Sequence, residues 1–206
     1  MSSIGHTVHL LGYPLRVQAS VPVADCSPVH VRAAWSVAVV ATLGMSVSYV
    51  DRQTLAAIAP AVRAELAIDH AHFGWLVSAF SLAYLVATPL AGPALDRFGA
   101  RRGFALAVLV WSAVAGAHAL AVSFTMLFAL RVLLGLAESP SFPSAAQAVR
   151  RALPAARRPA AYGLLFTGSS LGAMIAAPLA IALETRFGFR FAFAGTALAG
   201  LLWLPL

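Results

Sequence analysis

Six long apolar stretches occupy nearly everything after Ala33, at about 33–60, 73–95, 103–122, 124–148, 160–183 and 189–206. A helix that crosses the hydrocarbon core of a bilayer needs about 20 such residues. In lipid no water is available to backbone N–H and C=O groups, and a helix satisfies them within its own segment. None of the stretches alternates apolar and polar residues over about ten positions, as the strands of a membrane barrel do. The sequence therefore predicts an all-α membrane protein with six transmembrane helices. Composition supports this where it counts. The chain has 206 residues, 61% hydrophobic and only 10% charged, too few charges to solvate the surface of a soluble domain.

Residues 1–32 read differently. They hold Pro14, Pro22 and Pro28 with little periodicity, and they lack the basic start, apolar core and cleavage site of a signal peptide. A disordered cytoplasmic tail is expected there, followed by one helical bundle over 33–206. All 14 basic residues are arginine, and the net charge is +7. In a soluble protein that balance would suggest nucleic acid, but the arginines sit in links between apolar runs and form no basic stripe, so no nucleic-acid partner is expected. Arg97, Arg101, Arg102, Arg150, Arg151, Arg157 and Arg158, with Arg16 and Arg32 of the tail, fall on one side of the membrane. Arg63, Arg186 and Arg190 fall on the other, accompanied by Glu65, Asp69 and Glu184. The positive-inside rule then puts the amino terminus in the cytoplasm, with a bacterial inner membrane as the expected location. The sixth stretch reaches Leu206 near the inner face with no tail beyond it, which reads as truncation at the end of helix six.

Several ionisable residues fall inside the apolar stretches: Asp51 and Arg52 in the first, His118 in the third, Arg131 and Glu138 in the fourth. Such groups cost several kcal/mol in the bilayer and usually face a cavity or one another. Arg131 and Glu138 are seven positions apart, so they share a helix face about 10 Å apart along the axis. One reading is a set of ion pairs that only neutralise each other. Apolar packing would usually be as stable as such pairs, which favours the other reading, a polar cavity with anion and proton sites. Asp51, Arg52, Arg131 and Glu138 sum to zero charge. An entering carboxylate would make the set negative, and protonation of Asp51 or Glu138 would restore neutrality. Proton-coupled uptake of an organic anion is the mechanism this arithmetic suggests.

Other features carry less. His118 reads as a packed residue with one hydrogen-bond partner. His70 and His72 lack a cysteine or carboxylate at ligand spacing, so no metal site is expected. Gly168-Ser169-Ser170-Leu171-Gly172 matches the G-x-S-x-G pattern of serine hydrolases, which needs a strand–turn–helix context and a histidine partner. Here it lies in an apolar stretch, and Gly168 and Gly172 have the spacing of close helix contact. No enzyme activity and no cofactor are expected.

The link after the second stretch, Gly92-Pro93-Ala94-Leu95-Asp96-Arg97-Phe98-Gly99-Ala100-Arg101-Arg102, matches G-x-x-x-D-R-x-G-x-R-R. It resembles the loop that marks the major facilitator superfamily. Gly92, Asp96, Arg97, Gly99, Arg101 and Arg102 would then form a charged latch, Asp96 meeting a helix amino terminus or an arginine. Two stretches narrow the resemblance to the anion:cation symporter family. Tyr49-Val50-Asp51-Arg52-Gln53-Thr54-Leu55 with Pro60 is similar to its first helix. Arg131-Val132-Leu133-Leu134-Gly135-Leu136-Ala137-Glu138-Ser139-Pro140-Ser141-Phe142-Pro143 is similar to its fourth. Thr167–Gly172 and Phe187–Phe193 resemble the fifth helix and the entry to the sixth.

The resemblance implies the amino-terminal six-helix half of a twelve-helix fold, built as an inverted three-plus-three repeat, although no clear sequence repeat is visible. A missing carboxy-terminal half would complete it. Arg52, Arg131 and Tyr49 would bind an organic anion, and Asp51 and Glu138 would carry protons. Alternatives are an exchanger or facilitator of the same superfamily, or a truncated half without transport of its own. Sugar-acid members often carry asparagines and an arginine after the F-P of the fourth helix. Ala145, Ala146 and Gln147 stand there, which favours a smaller or aromatic carboxylate over a polyhydroxylated one. Pro178 follows Ala177 and precedes no glycine pair, unlike the antiporter pattern, so exchange is not favoured.

Overall fold

A computed structural model describes residues 7–10, 13–16 and 28–205, and side chains from residue 32 onward except at 94, 96, 98, 100 and 101. The chain divides into two units, Met1–Ala33 and Ala34–Leu206. The first contains β1 (Thr7–Leu10) and β2 (Tyr13–Arg16), paired antiparallel with Leu10 opposite Tyr13. These strands, and a first helix that starts at Pro28, differ from the disordered tail expected over 1–32. Val8 and Leu10 alternate with polar neighbours, as paired strands do, and proline suits a helix's first turn. The rest of the tail lies outside the described residues.

The second unit is helical. Its elements are α1 (Pro28–Ala57), α2 (Ala59–Glu65), α3 (His70–Phe98), α4 (Ala100–Ala117), α5 (Phe124–Glu138), α6 (Ser141–Ala152), α7 (Arg158–Phe187) and α8 (Phe189–Trp203). Five segments are long and apolar enough to cross a membrane, and Phe189–Trp203 is a shorter apolar sixth. The six predicted passages are therefore present, but the first and fourth are broken. Pro60 offers no N–H and crowds the carbonyl four residues back, so α1 ends at Ala57 and α2 restarts at Ala59. Pro140 does the same between α5 and α6. The carbonyl of Leu136, which Pro140 cannot serve, accepts instead from Ser139 Oγ at 2.8 Å.

Large side chains such as Leu82, Val86, Leu90, Met174 and Leu202 are exposed on the outside, as a lipid-facing surface requires. Small residues bring the helices together. α3 packs along α5, and α4 and α7 along α8. At Gly135 an added Cβ would overlap the Phe80 carbonyl of α3, and at Gly172 it would overlap the Ser46 backbone of α1. Ser46 Oγ also donates to the Gly168 carbonyl at 2.8 Å. The G-x-S-x-G pattern is thus a helix contact, and Ser170 Oγ donates to Phe166 O within its own helix.

Two single-glycine links are alike. Gly99 (φ 82) joins α3 to α4, and Gly188 (φ 87) joins α7 to α8. Each adopts a backbone conformation closed to most side chains, and each N–H caps the helix behind it, on Leu95 O and Glu184 O. The surrounding residues repeat as well: Arg97-Phe98-Gly99-Ala100-Arg101 and Arg186-Phe187-Gly188-Phe189-Arg190 share R-F-G-x-R. The sequence reading missed this short internal repeat, which marks the second-to-third junction of each three-helix unit.

Gly172→Ala should destabilise the bundle by about 1–3 kcal/mol, because backbone rather than a flexible side chain must yield. Gly163 has open space around it, so Gly163→Ala should be neutral or stabilise by up to about 1 kcal/mol. Thermal unfolding of both variants in one detergent tests the contrast. At the start of α3, Asp69 accepts from the His72 N–H and pairs with its ring Nδ1, both at 2.7 Å, which holds its carboxyl below the usual range. The contribution of this cap is present above the unfolded pKa and is lost as pH falls through the lowered folded value. Protection of the His72 amide, measured against its intrinsic exchange rate at each pH, should therefore fall on acidification, and an Asp69→Ala chain should lose that pH dependence.

Candidate functional site

The two broken passages carry the buried charges to one level. Glu138 is the last residue of α5, at the break, and is fully buried. Across from it, α1 presents Arg52. Its Nη2 donates to Glu138 Oε2 at 2.9 Å and its Nε donates to the same oxygen at 3.2 Å. Ser48, one turn earlier on α1, adds a third donor at 3.3 Å. Oε1 of Glu138 has no hydrogen-bond partner among the described residues. The carboxylate is thus held through one oxygen only.

The Arg52 guanidinium is caged by rings. Its central carbon lies 4.8 Å from the Tyr49 centroid, 4.9 Å from Phe80 and 4.6 Å from Tyr84. Arg131 stacks on Phe80 as well, at 4.7 Å. Cation–π attraction is worth about 2 kcal/mol or more where water is excluded, which lets two guanidinium groups share one ring environment. Arg131 is 3% exposed. Its Nε makes a long 3.4 Å contact to Leu76 O, and Nη1 has no partner. Among the described residues no carboxylate lies within salt-bridge distance of it. Arg52 and Arg131 line one cavity of about 540 Å³, together with Phe80, Tyr84, Ser81 and Thr88.

Asp51 departs from this group. Adjacent helix positions point about 100° apart, and Asp51 turns away from that cavity into the bundle. It is 3% exposed, and neither carboxylate oxygen is hydrogen-bonded. Its polar neighbours are the Trp111 indole and the Thr196 hydroxyl. The structure therefore brings Arg52, Arg131 and Glu138 together, sets Tyr49 beside Arg52, and holds Asp51 apart. Phe80, Tyr84 and Ser48 were not singled out from the sequence. Phe80 and Tyr84 have i, i+4 spacing on α3, but aromatic residues in a membrane helix more often face lipid, so spacing alone does not mark a cage.

Among the latch residues, Gly99 takes the positive-φ junction, Gly92 is half-buried, and Arg97 and Arg102 are exposed. The side chains of Asp96 and Arg101 lie outside the described residues. His118 is buried, and its Nδ1 meets Val114 O at 2.8 Å, the one hydrogen bond described for its ring.

The sequence and the fold have counterparts among known proteins. A family model described as Major Facilitator Superfamily matches residues 41–206. The hexuronate transporter of Escherichia coli K12 is 35% identical over 169 residues, covering 82% of this chain and 39% of its own length. The galacturonate transporter of Dickeya chrysanthemi is 31% identical over 169 residues, covering 82% of this chain and 49% of its own. Among solved structures, a bacterial homologue of the human lysosomal transporter Spinster, inward-facing and unoccupied, superposes with a TM-score of 0.77. Its identity is 21%, and the match covers 87% of this chain and 42% of that one. The chain thus spans less than half the length of these relatives. Through the match over 41–206, it belongs to the major facilitator superfamily of membrane transport proteins.

Proposed function

We propose that the chain is the amino-terminal half of a secondary transporter that carries a small organic anion together with protons by alternating access. Arg131 carries the proposal. A buried guanidinium with no carboxylate at salt-bridge distance among the described residues costs several kcal/mol, and this one lines a cavity large enough for a small carboxylate. Arg52 is its second cation, Tyr49 steadies Arg52, and the anion takes the place of the missing counter-charge. The names of the relatives support an organic acid as cargo. The cavity also offers the hydroxyls of Ser81, Thr88 and Tyr84, so sugar acids remain within the class despite Ala145 and Ala146. The carboxylate class covers both the sugar-acid and the aromatic-acid expectation.

Glu138 carries the coupled proton in this reading. Its ion pair uses one oxygen and leaves the other without a partner. Protonation at Oε1 would weaken the hold on Arg52 and free that guanidinium for the anion. Asp51 is the second proton site, on a different face of α1 from Arg52. The membrane is the bacterial inner membrane, with the amino terminus in the cytoplasm, and rocking against a second six-helix half provides alternating access. The latch residues steady one of the two orientations.

A second reading has one observation behind it: the chain covers 39% of the hexuronate transporter. On that reading it is a half that transports nothing alone. Coding sequence for six further helices beyond codon 206 favours the complete symporter, and a stop codon there favours the isolated half.

Uptake of labelled carboxylates into proteoliposomes by the chain joined to its second half tests the site. Arg131→Gln should reduce kcat/KM by at least about 100-fold, the loss of one buried charged partner. Uptake equal to the parent would remove Arg131 from anion recognition. Glu138→Gln should flatten the pH dependence of uptake, and an unchanged profile would remove Glu138 from the proton path. A proton gradient should drive uptake where a sodium gradient does not.

A further inference from the structure

A second cavity, about 520 Å³, lies at the arginine-rich end of the bundle between α3, α6 and α7. Arg150, Gln147 and Tyr162 are its polar lining, and Leu95 and the paired rings of Phe142 and Phe166, 5.5 Å apart, are its apolar walls. Arg150 stands in the last turn of α6, where a cation could simply complement the carbonyl end of the helix. Arg158 already does that. Its Nε donates to Leu153 O at 3.0 Å and its Nη2 to Arg150 O at 2.9 Å. Among the described residues no carboxylate pairs with Arg150. An exposed arginine with no ion pair among the described residues therefore lines a cavity with aromatic walls. It stands in the last turn of α6, about three helical turns beyond the break at which Glu138 sits, and the two cavities share no lining residue.

We propose that this cavity is a second carboxylate site, in which Arg150 takes the carboxylate and the Phe142 and Phe166 faces take the apolar flank of the molecule. It rests on the reading that carboxylates pass through this bundle, and it adds a station between the arginine-rich surface and the central cavity. A cleft lined by one sign of charge can raise the local concentration of counter-ions by about tenfold or more. The Arg150 guanidinium supplies that bias.

The test reads the cavity without transport. Ala146, which also lines it, is replaced by cysteine in a Cys26→Ser chain held in nanodiscs of phosphatidylcholine alone, so that no anionic lipid headgroup competes. Labelling rates are compared for an anionic sulfonatoethyl and a cationic trimethylammonioethyl methanethiosulfonate. The anionic reagent should be favoured, and Arg150→Gln should lower the anionic-to-cationic ratio by about fivefold or more. Arg150→Lys should keep the ratio, and so should Arg151→Gln, whose side chain lines a different groove. Millimolar glucuronate or benzoate should slow labelling of the parent but not of the Arg150→Gln chain. The proposal is overturned by an unchanged ratio in Arg150→Gln, by an equal fall in Arg151→Gln, or by absence of protection. A ratio that favours the anion only after Asp96→Asn overturns it too, since Arg150 would then be committed to that carboxylate. Normal labelling and protection in an Arg131→Gln chain that fails to support uptake would show the two sites to be separate.

Discussion

Glu138 and Arg52 meet at 2.9 Å in a place where neither charge could stand alone. Each would cost several kcal/mol in the hydrocarbon region without the other, so the pair fixes α1 against α5. It does so across a break: Glu138 is the residue where α5 stops, because Pro140 ends the hydrogen-bond ladder and Ser139 repairs the orphaned Leu136 carbonyl. The same proline that costs a backbone bond frees the helix end from a straight course. The first passage breaks beside Pro60 in a comparable way. Interrupted helices at matching places in two three-helix units are where transporters of this architecture gather their binding groups.

Close approach of helices is the second condition. A guanidinium caged by rings of both α1 and α3 needs α3 near α5, and Gly135 against the Phe80 carbonyl provides that. Phe80 then serves both Arg52 and Arg131. Aromatic faces attract cations while keeping no charge of their own. Two arginines can therefore approach without a second carboxylate that would neutralise the site. A carboxylate beside Arg131 would be as stable and would leave nothing for an anion to do.

Much of this was legible in the sequence, for identifiable reasons. Lipid removes alternatives to the helix, so apolar length alone placed six passages. Ionisable residues are expensive there, so Arg52, Arg131 and Glu138 stood out, and seven-residue spacing placed the last two on one face. The breaks were not placed, although Pro60 and Pro140 were visible, because proline is tolerated inside other passages here, at Pro89, Pro93 and Pro178. The partition of the charges was also out of reach. A sum of zero treats Asp51 as equivalent to Glu138, whereas one step of about 100° around α1 sends it toward Trp111 and Thr196 instead. The R-F-G-x-R repeat is too short to rise above chance until the two positive-φ glycines show that each copy makes the same turn.

That separation of Asp51 from Glu138 bears on how anion and proton could be coupled. Two carboxylates on one cavity wall would compete for the same proton and for the same arginines. Glu138 of α5 faces Arg52, whereas Asp51 is turned about 100° from Arg52 around α1, so their immediate surroundings differ: Glu138 answers to Arg52, Ser48 and whatever anion approaches, Asp51 to Trp111, Thr196 and the charge of Glu138. Asp51 and Glu138 are near enough for each charge to act on the other directly, and movement of α1 gives a change at the anion site a second route to Asp51. The contacts that resist such movement are the small-residue seams at Gly168 and Gly172 against Thr42 and Ser46. A tight seam moves α1 and α7 as one body, so a proton gained at Asp51 and an anion held at Arg52 would act on the same rigid unit as well as on each other through Glu138.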